Sequence, residues 1–149
     1  MYTRILVPLE NSPYDDAIVD HVKQLAHALG SSIVLVHVAD GWAARNIKQL
    51  DLRESEEMQK DRAYIERVAA QLEADGVDAE SLLASGDPSK EISQAAVREG
   101  CDLIAMSTHG HKFVNDMLRG SVANTVRHES TIPVLLVRGN PRGRSAAAR

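Results

Sequence analysis

Short aliphatic runs alternate along this chain with longer segments whose apolar residues recur at helical spacing, and that alternation restricts the fold more than any other feature. "RILVPL" (Arg4 to Leu9), "SIVLVHV" (Ser32 to Val38), "DLIAM" (Asp102 to Met106) and "PVLLV" (Pro133 to Val137) carry aliphatic side chains at adjacent positions, with no polar residue on alternate ones. A strand of that kind is covered on both faces, as in a parallel sheet. "VDAESLLAS" (Val77 to Ser85) is more polar and suits a sheet edge. Between these runs, Ile18, Val22, Leu25 and Leu29 recur at helical spacing until Gly30, and Ile65, Val68, Ala69 and Leu72 do so in a charged segment ending near Asp75.

Local chemistry predicts where helices begin. Ser12 followed by Pro13 reads as an N-cap with proline at the first helical position, and Asp87, Pro88 and Glu91 repeat that arrangement before a helix ending at Gly100. A last helix is predicted from about Ser121 to Glu129, with Gly120 just ahead of it. The order β-α-β-α-β-α-β-α-β predicts an α/β fold: an open, doubly wound, Rossmann-like sheet of five parallel strands with helices on both faces, since parallel neighbours need crossover helices. Residues 1–138 form the expected single domain, and residues 139–149, with Arg142, Arg144 and Arg149, a basic flexible tail.

Totals narrow the function classes. The net charge of −4 disfavours a nucleic-acid partner. No apolar run approaches the roughly 20 residues that span a bilayer, and no basic segment followed by an apolar one opens the sequence. With a lone cysteine, Cys101, the expected location is a reducing cytoplasm. Cys101 reads as an inert core thiol and His37, inside a strand, as a structural histidine. His109 and His111 lack the carboxylate or cysteine partners of a metal site. Trp42 reads either as a packing residue or as a lid on a ligand. The phosphate loop G-x-x-x-x-G-K-[ST], the dinucleotide fingerprint G-x-G-x-x-G after the first strand and the nucleophile elbow G-x-S-x-G are all missing, so no catalytic residue is assigned.

In a sheet ordered 3-2-1-4-5, ligands sit beyond the carboxyl ends of strands one and four, where the order reverses. Two segments leave those ends: "ENS" (Glu10 to Ser12) and "STHGHKFVNDMLRGS" (Ser107 to Ser121). Gly110 and Gly120 would let backbone approach a ligand closely, and a helix opening at Gly120 and Ser121 would offer free amides to an anion such as phosphate. The same glycines also suit a tight turn and a plain helix start. Lys112 or His111 would add positive charge, and Glu10 suits a ribose hydroxyl or a metal-bound water better than a general-base role.

"ILVPLENS", "VLVHV", "GDPSKEI" and, above all, "STHG" followed by nine residues and "GSV" resemble the universal stress protein family over Tyr2 to about Val137. That resemblance implies a dimeric, nucleotide-dependent signalling module of the stress response that binds ATP or AMP, with Mg²⁺ accompanying the nucleotide. It places adenine near Val38 and ribose near Glu10 and Ser107, beside Pro8 and Leu9. The phosphates would lie on Gly110, Gly120, Ser121 and Val122, with His109 and His111 alongside. Ser107 stands where nucleotide-binding members carry a glycine, Glu10 where they carry aspartate, and Phe113 where a small residue is usual. Two other readings therefore stand beside it: a dimeric interaction protein of the same fold without nucleotide, and a slow Mg²⁺-dependent ATP hydrolase. An apolar last strand at the sheet edge predicts a homodimer through Val134, Leu135, Leu136 and Val137.

Overall fold

The structure, a computed structural model, describes residues 1–40, 51–109 and 114–139. In chain order the elements are β1 (Arg4–Pro8), α1 (Asp15–Leu29), β2 (Ser32–Asp40), α2 (Asp51–Ala74), β3 (Ala79–Gly86), α3 (Pro88–Arg98), β4 (Leu103–His109), α4 (Val114–Glu129) and β5 (Val134–Gly139). The five strands pair in parallel in the order β3-β2-β1-β4-β5, as the alternation of elements predicts.

Burial on both faces explains the aliphatic runs. Ile5 and Val7 of β1, with Ile33 and Leu35 of β2, pack under Ile18 and Val22 of α1 and Ile65 and Leu72 of α2. Leu6, Val34, Val36 and Ile104 face the other way, onto Ile92 and Ala95 of α3 and Ala123 and Val126 of α4. Burying one such aliphatic side chain is worth about 1.5–3 kcal/mol, so neighbouring residues of one strand anchor opposite helix layers.

Helix boundaries follow local chemistry at some ends and depart from it at others. Asp87 caps α3 as predicted, its carboxylate accepting from the Lys90 amide at 3.2 Å and the Ser89 hydroxyl at 2.8 Å. Gly30 ends α1 with φ +70, and its amide returns to the Ala26 carbonyl at 2.8 Å. The start of α1 differs from expectation. It lies at Asp15, not at Ser12, because Ser12 makes a turn of its own: its hydroxyl accepts from the Tyr14 amide at 3.3 Å and its carbonyl from the Asp15 amide at 3.0 Å.

Two further departures concern the segment from Ser107 to Ser121. β4 runs on to His109, so Ser107 and Thr108 are strand residues and the loop begins after them. α4 begins at Val114, so Gly120 and Ser121 lie inside the helix and do not open it. Glycine costs about 1 kcal/mol inside a helix, less than the burial of Ala123 and Val126 returns on the same element. β5 reaches Gly139, one residue beyond the expected domain boundary, and residues 140–149 lie outside the described residues.

Candidate functional site

At the strand-order reversal, where the crevice is expected, the two ladders are unequal. β1 pairs with β4 only through Ile5–Leu103 and Leu6–Ile104, whereas β4 stays in register with β5 as far as His109–Gly139. Beyond Leu6, β1 keeps to its other neighbour: the Leu9 amide donates to the Val36 carbonyl at 2.8 Å. Beyond that point β1 and β4 share no register pair, and Pro8, Leu9 and Glu10 stand on the β1 side of the expected crevice, Leu9 buried in the first core layer.

That side continues into a loop held from within. Asn11 has φ +63, a left-handed conformation that asparagine tolerates better than most residues. The Asp15 side chain, only 2% exposed, turns back under the loop. Its carboxylate accepts from the amides of Glu10 at 3.1 Å, Asn11 at 2.8 Å and Ser12 at 3.2 Å, and from the Tyr64 hydroxyl of α2 at 2.6 Å. Burial first, and then the hydrogen bond to Asp15, raise the Tyr64 hydroxyl far above its ordinary pKa, so it remains a donor. Glu10, partly exposed on the β1 side of the expected crevice, accepts from the Ser12 hydroxyl at 3.2 Å.

His37 has the structural role expected of it. Nδ1 lies 2.9 Å from the Leu9 carbonyl and Nε2 3.1 Å from Asp61 Oδ2; both partners only accept, so each contact is a hydrogen bond when the ring nitrogen facing it carries a hydrogen. Val38, next but one to the end of β2, is partly buried against the second core layer.

On the β4 side Ser107 has ordinary strand geometry, so its side chain carries no left-handed penalty. Its buried Oγ has no hydrogen-bond partner among the described residues. It points toward β5: a Cβ added to Gly139 would sit 2.5 Å from that oxygen and 2.9 Å from Tyr14 Cδ1. The Ser107 hydroxyl thus lies beside Gly139, on the β5 side of β4. Val122 packs against the second core layer. Gly110, His111, Lys112, Phe113 and Trp42 lie outside the described residues.

Asp15, Asp61 and Tyr64 were not singled out in the sequence. Asp15 reads there as an ordinary first-turn acid, and the two α2 residues meet the loop only through tertiary contact. Cys101 is buried beneath β4, and burial pushes its thiol up to about 11, as befits an inert core residue. No cluster of three or more histidine, cysteine or acidic side chains placed to hold a metal occurs among the described residues.

A profile of the universal stress protein family matches residues 1–138. The chain belongs to the universal stress protein family. A universal stress protein of Methanocaldococcus jannaschii is 28% identical over 158 residues, covering 93% of this chain and 96% of its own. Its structure superimposes with a TM-score of 0.82 over 94% of this chain and 98% of that one. A Thermus aquaticus universal stress protein is 33% identical over 143 residues, covering 93% of this chain and all (100%) of its own. The fold is also shared with a universal stress protein solved in complex with cAMP (TM-score 0.69, 21% identity, 92% of this chain and 97% of that one). An Archaeoglobus fulgidus universal stress protein in complex with dAMP has a TM-score of 0.65 at 20% identity, over 91% of this chain and 97% of that one.

Proposed function

We propose that this universal stress protein binds an adenine nucleotide in the crevice between the carboxyl ends of β1 and β4 and signals through its bound state. The observation that supports this reading is the early end of the β1–β4 ladder; in this reading Pro8, Leu9 and Glu10 form one wall of the crevice and the end of β4 the other. Two proteins of the same fold, solved with cAMP and with dAMP, support the choice of ligand. In this reading adenine lies toward Val38 at the end of β2. Glu10 accepts from a ribose hydroxyl, as it does from the Ser12 hydroxyl in the free protein, and the main chain at Ser107 completes the ribose site.

The phosphates divide the candidates. Inside a helix the amides of Gly120 and Ser121 are turned to carbonyls four residues earlier, so a triphosphate reaching them must open the first two turns of α4. A monophosphate needs no such opening. AMP is therefore the expected tighter ligand, with ATP and its accompanying Mg²⁺ paying for helix unwinding before Gly110, Gly120, Ser121 and Val122 can serve as the cradle.

A second reading, an interaction protein of the same fold without nucleotide, is favoured by the same placement of Gly120 and Ser121. Both readings include a homodimer through β5, whose outer edge is unpaired among the described residues and whose Leu136 is 39% exposed. Both also place the protein in the cytoplasm, a location supported by the buried, unpaired Cys101; no described helix is long and apolar enough to cross a membrane.

Native mass spectrometry of the freshly purified protein, followed by calorimetric titration with AMP, cAMP and Mg-ATP, tests these statements. A dimer carrying adenine nucleotide, with AMP tighter than ATP, is expected. No carried-over nucleotide and no heat with any of the three at millimolar concentration overturns the nucleotide reading and leaves the second.

A further inference from the structure

The Leu9 to Ser12 loop holds its shape only in part by local means, chiefly through the Asp15 carboxylate. Its left-handed Asn11 is unfavourable for an L-residue, and successive amides point inward toward one carboxylate. Further support arrives from α2, some fifty residues along the chain. Tyr64 donates to Asp15 Oδ2 at 2.6 Å, the same oxygen that takes the Asn11 and Ser12 amides. Three residues earlier, on the same helix face, Asp61 Oδ2 meets His37 Nε2 at 3.1 Å, and His37 Nδ1 lies 2.9 Å from the Leu9 carbonyl. The second Asp61 oxygen accepts from Asn11 Nδ2 at 3.4 Å. His37 and Asp61 are both mostly buried, their side chains 12% and 17% exposed, so water is a poor substitute for either partner.

We propose that Asp61 and Tyr64 are positioning residues for the crevice site: acting through His37 and Asp15, they fix the loop that carries Leu9 and Glu10, and so couple α2 to the occupant of the crevice. The part of this statement that concerns an occupant rests on the nucleotide reading above. Coupling of this kind is reciprocal, so whatever orders the loop also tightens α2. Neither residue is expected to touch the nucleotide; both act through the loop.

The test uses the full chain, with Asp61→Asn and Tyr64→Phe, each removing one link, and Leu72→Ala as a core control on the same helix. AMP affinity is measured by calorimetry, thermal stability by calorimetric unfolding, and hydrogen exchange amide by amide. Both link variants are expected to exchange the Glu10, Asn11 and Ser12 amides faster and to bind AMP roughly tenfold more weakly. AMP is expected to slow exchange across Asp61 to Val68 in the native protein and to do so less in the two variants. Leu72→Ala should lose stability while its loop exchange and AMP affinity stay native. Link variants that lose stability but keep native loop exchange and AMP affinity overturn the proposal. Should Asp61→Asn fail to fold, Tyr64→Phe, which removes a single oxygen, decides alone. If the native protein takes up no AMP, the functional reading fails separately, and the loop amides still decide the positioning: unchanged exchange in the variants overturns it.

Discussion

The two ends of β1 use the same device with opposite results. At the entry end the Asp102 carboxylate accepts from the amides of Thr3 at 3.0 Å and Arg4 at 3.1 Å, and the Asp102 amide donates back to the Arg4 carbonyl at 2.9 Å. At the exit end Asp15 accepts from the amides of Glu10, Asn11 and Ser12. Asp102 thereby ties β1 to β4, whereas Asp15 ties β1 to its own helix and leaves β4 free. Arg4 reinforces the closed end: its Nε donates to the Glu99 carbonyl at 2.8 Å and its guanidinium pairs with Glu80. One end of the sheet is sealed by contacts between strands. The other is shaped by contacts within the Glu10 to Ser12 loop and from α2.

Removing the two carboxylates should give very different losses. Asp15→Ala leaves three amides and the Tyr64 hydroxyl without their acceptor, and a loss of about 3 kcal/mol in urea unfolding is expected, against about 1 kcal/mol for Asp102→Ala at a more exposed site. Equal losses would break the contrast between the ends. Next in size is Gly139→Ala, which forces a Cβ against Ser107 Oγ and Tyr14 and should cost about 2 kcal/mol. Combining it with Ser107→Gly should recover part of that loss in a double-mutant cycle, and strict additivity would show that the hydroxyl does not occupy this space.

A smaller effect, at the entry end, depends on pH. Burial alone would raise Asp102, but the amides of Arg4 and Thr3 outweigh it and hold its carboxyl below the ordinary value. Its contribution is therefore present above the unfolded-state pKa and is lost as pH falls through the lowered folded value. Stability measured against pH should decline on the acid side with a shallower slope in Asp102→Asn; an unchanged slope would remove the entry-end carboxylate from the account. The smallest expected effect is no reaction at all: with its thiol pushed up to about 11, Cys101 should resist alkylation at pH 8 in the folded protein and react on unfolding.

How much of this was legible beforehand varies by region. Asp87 and Pro88 announce α3 because a cap needs only its own first turn. That the "ENS" segment leaves the carboxyl end of β1 was legible, since β1 ends at Pro8. Its internal support was not. Asp15 sits where a first-turn acid is ordinary, and nothing near it in sequence reveals that Tyr64, 49 residues away, completes its set of donors. The start of α4 misled for a related reason. Gly120 reads as a helix boundary by propensity, yet packing of Ala123 and Val126 and continuous helix from Val114 prevail.

By itself the sequence determined the five strands and their parallel order, and with them where a ligand crevice is expected, because aliphatic runs buried on both faces and joined by helical crossovers admit few arrangements. Tertiary structure alone decided which groups shape that crevice. A carboxylate or an imidazole takes its role from donors and acceptors that other elements bring within about 3 Å, and that proximity is not written in local spacing.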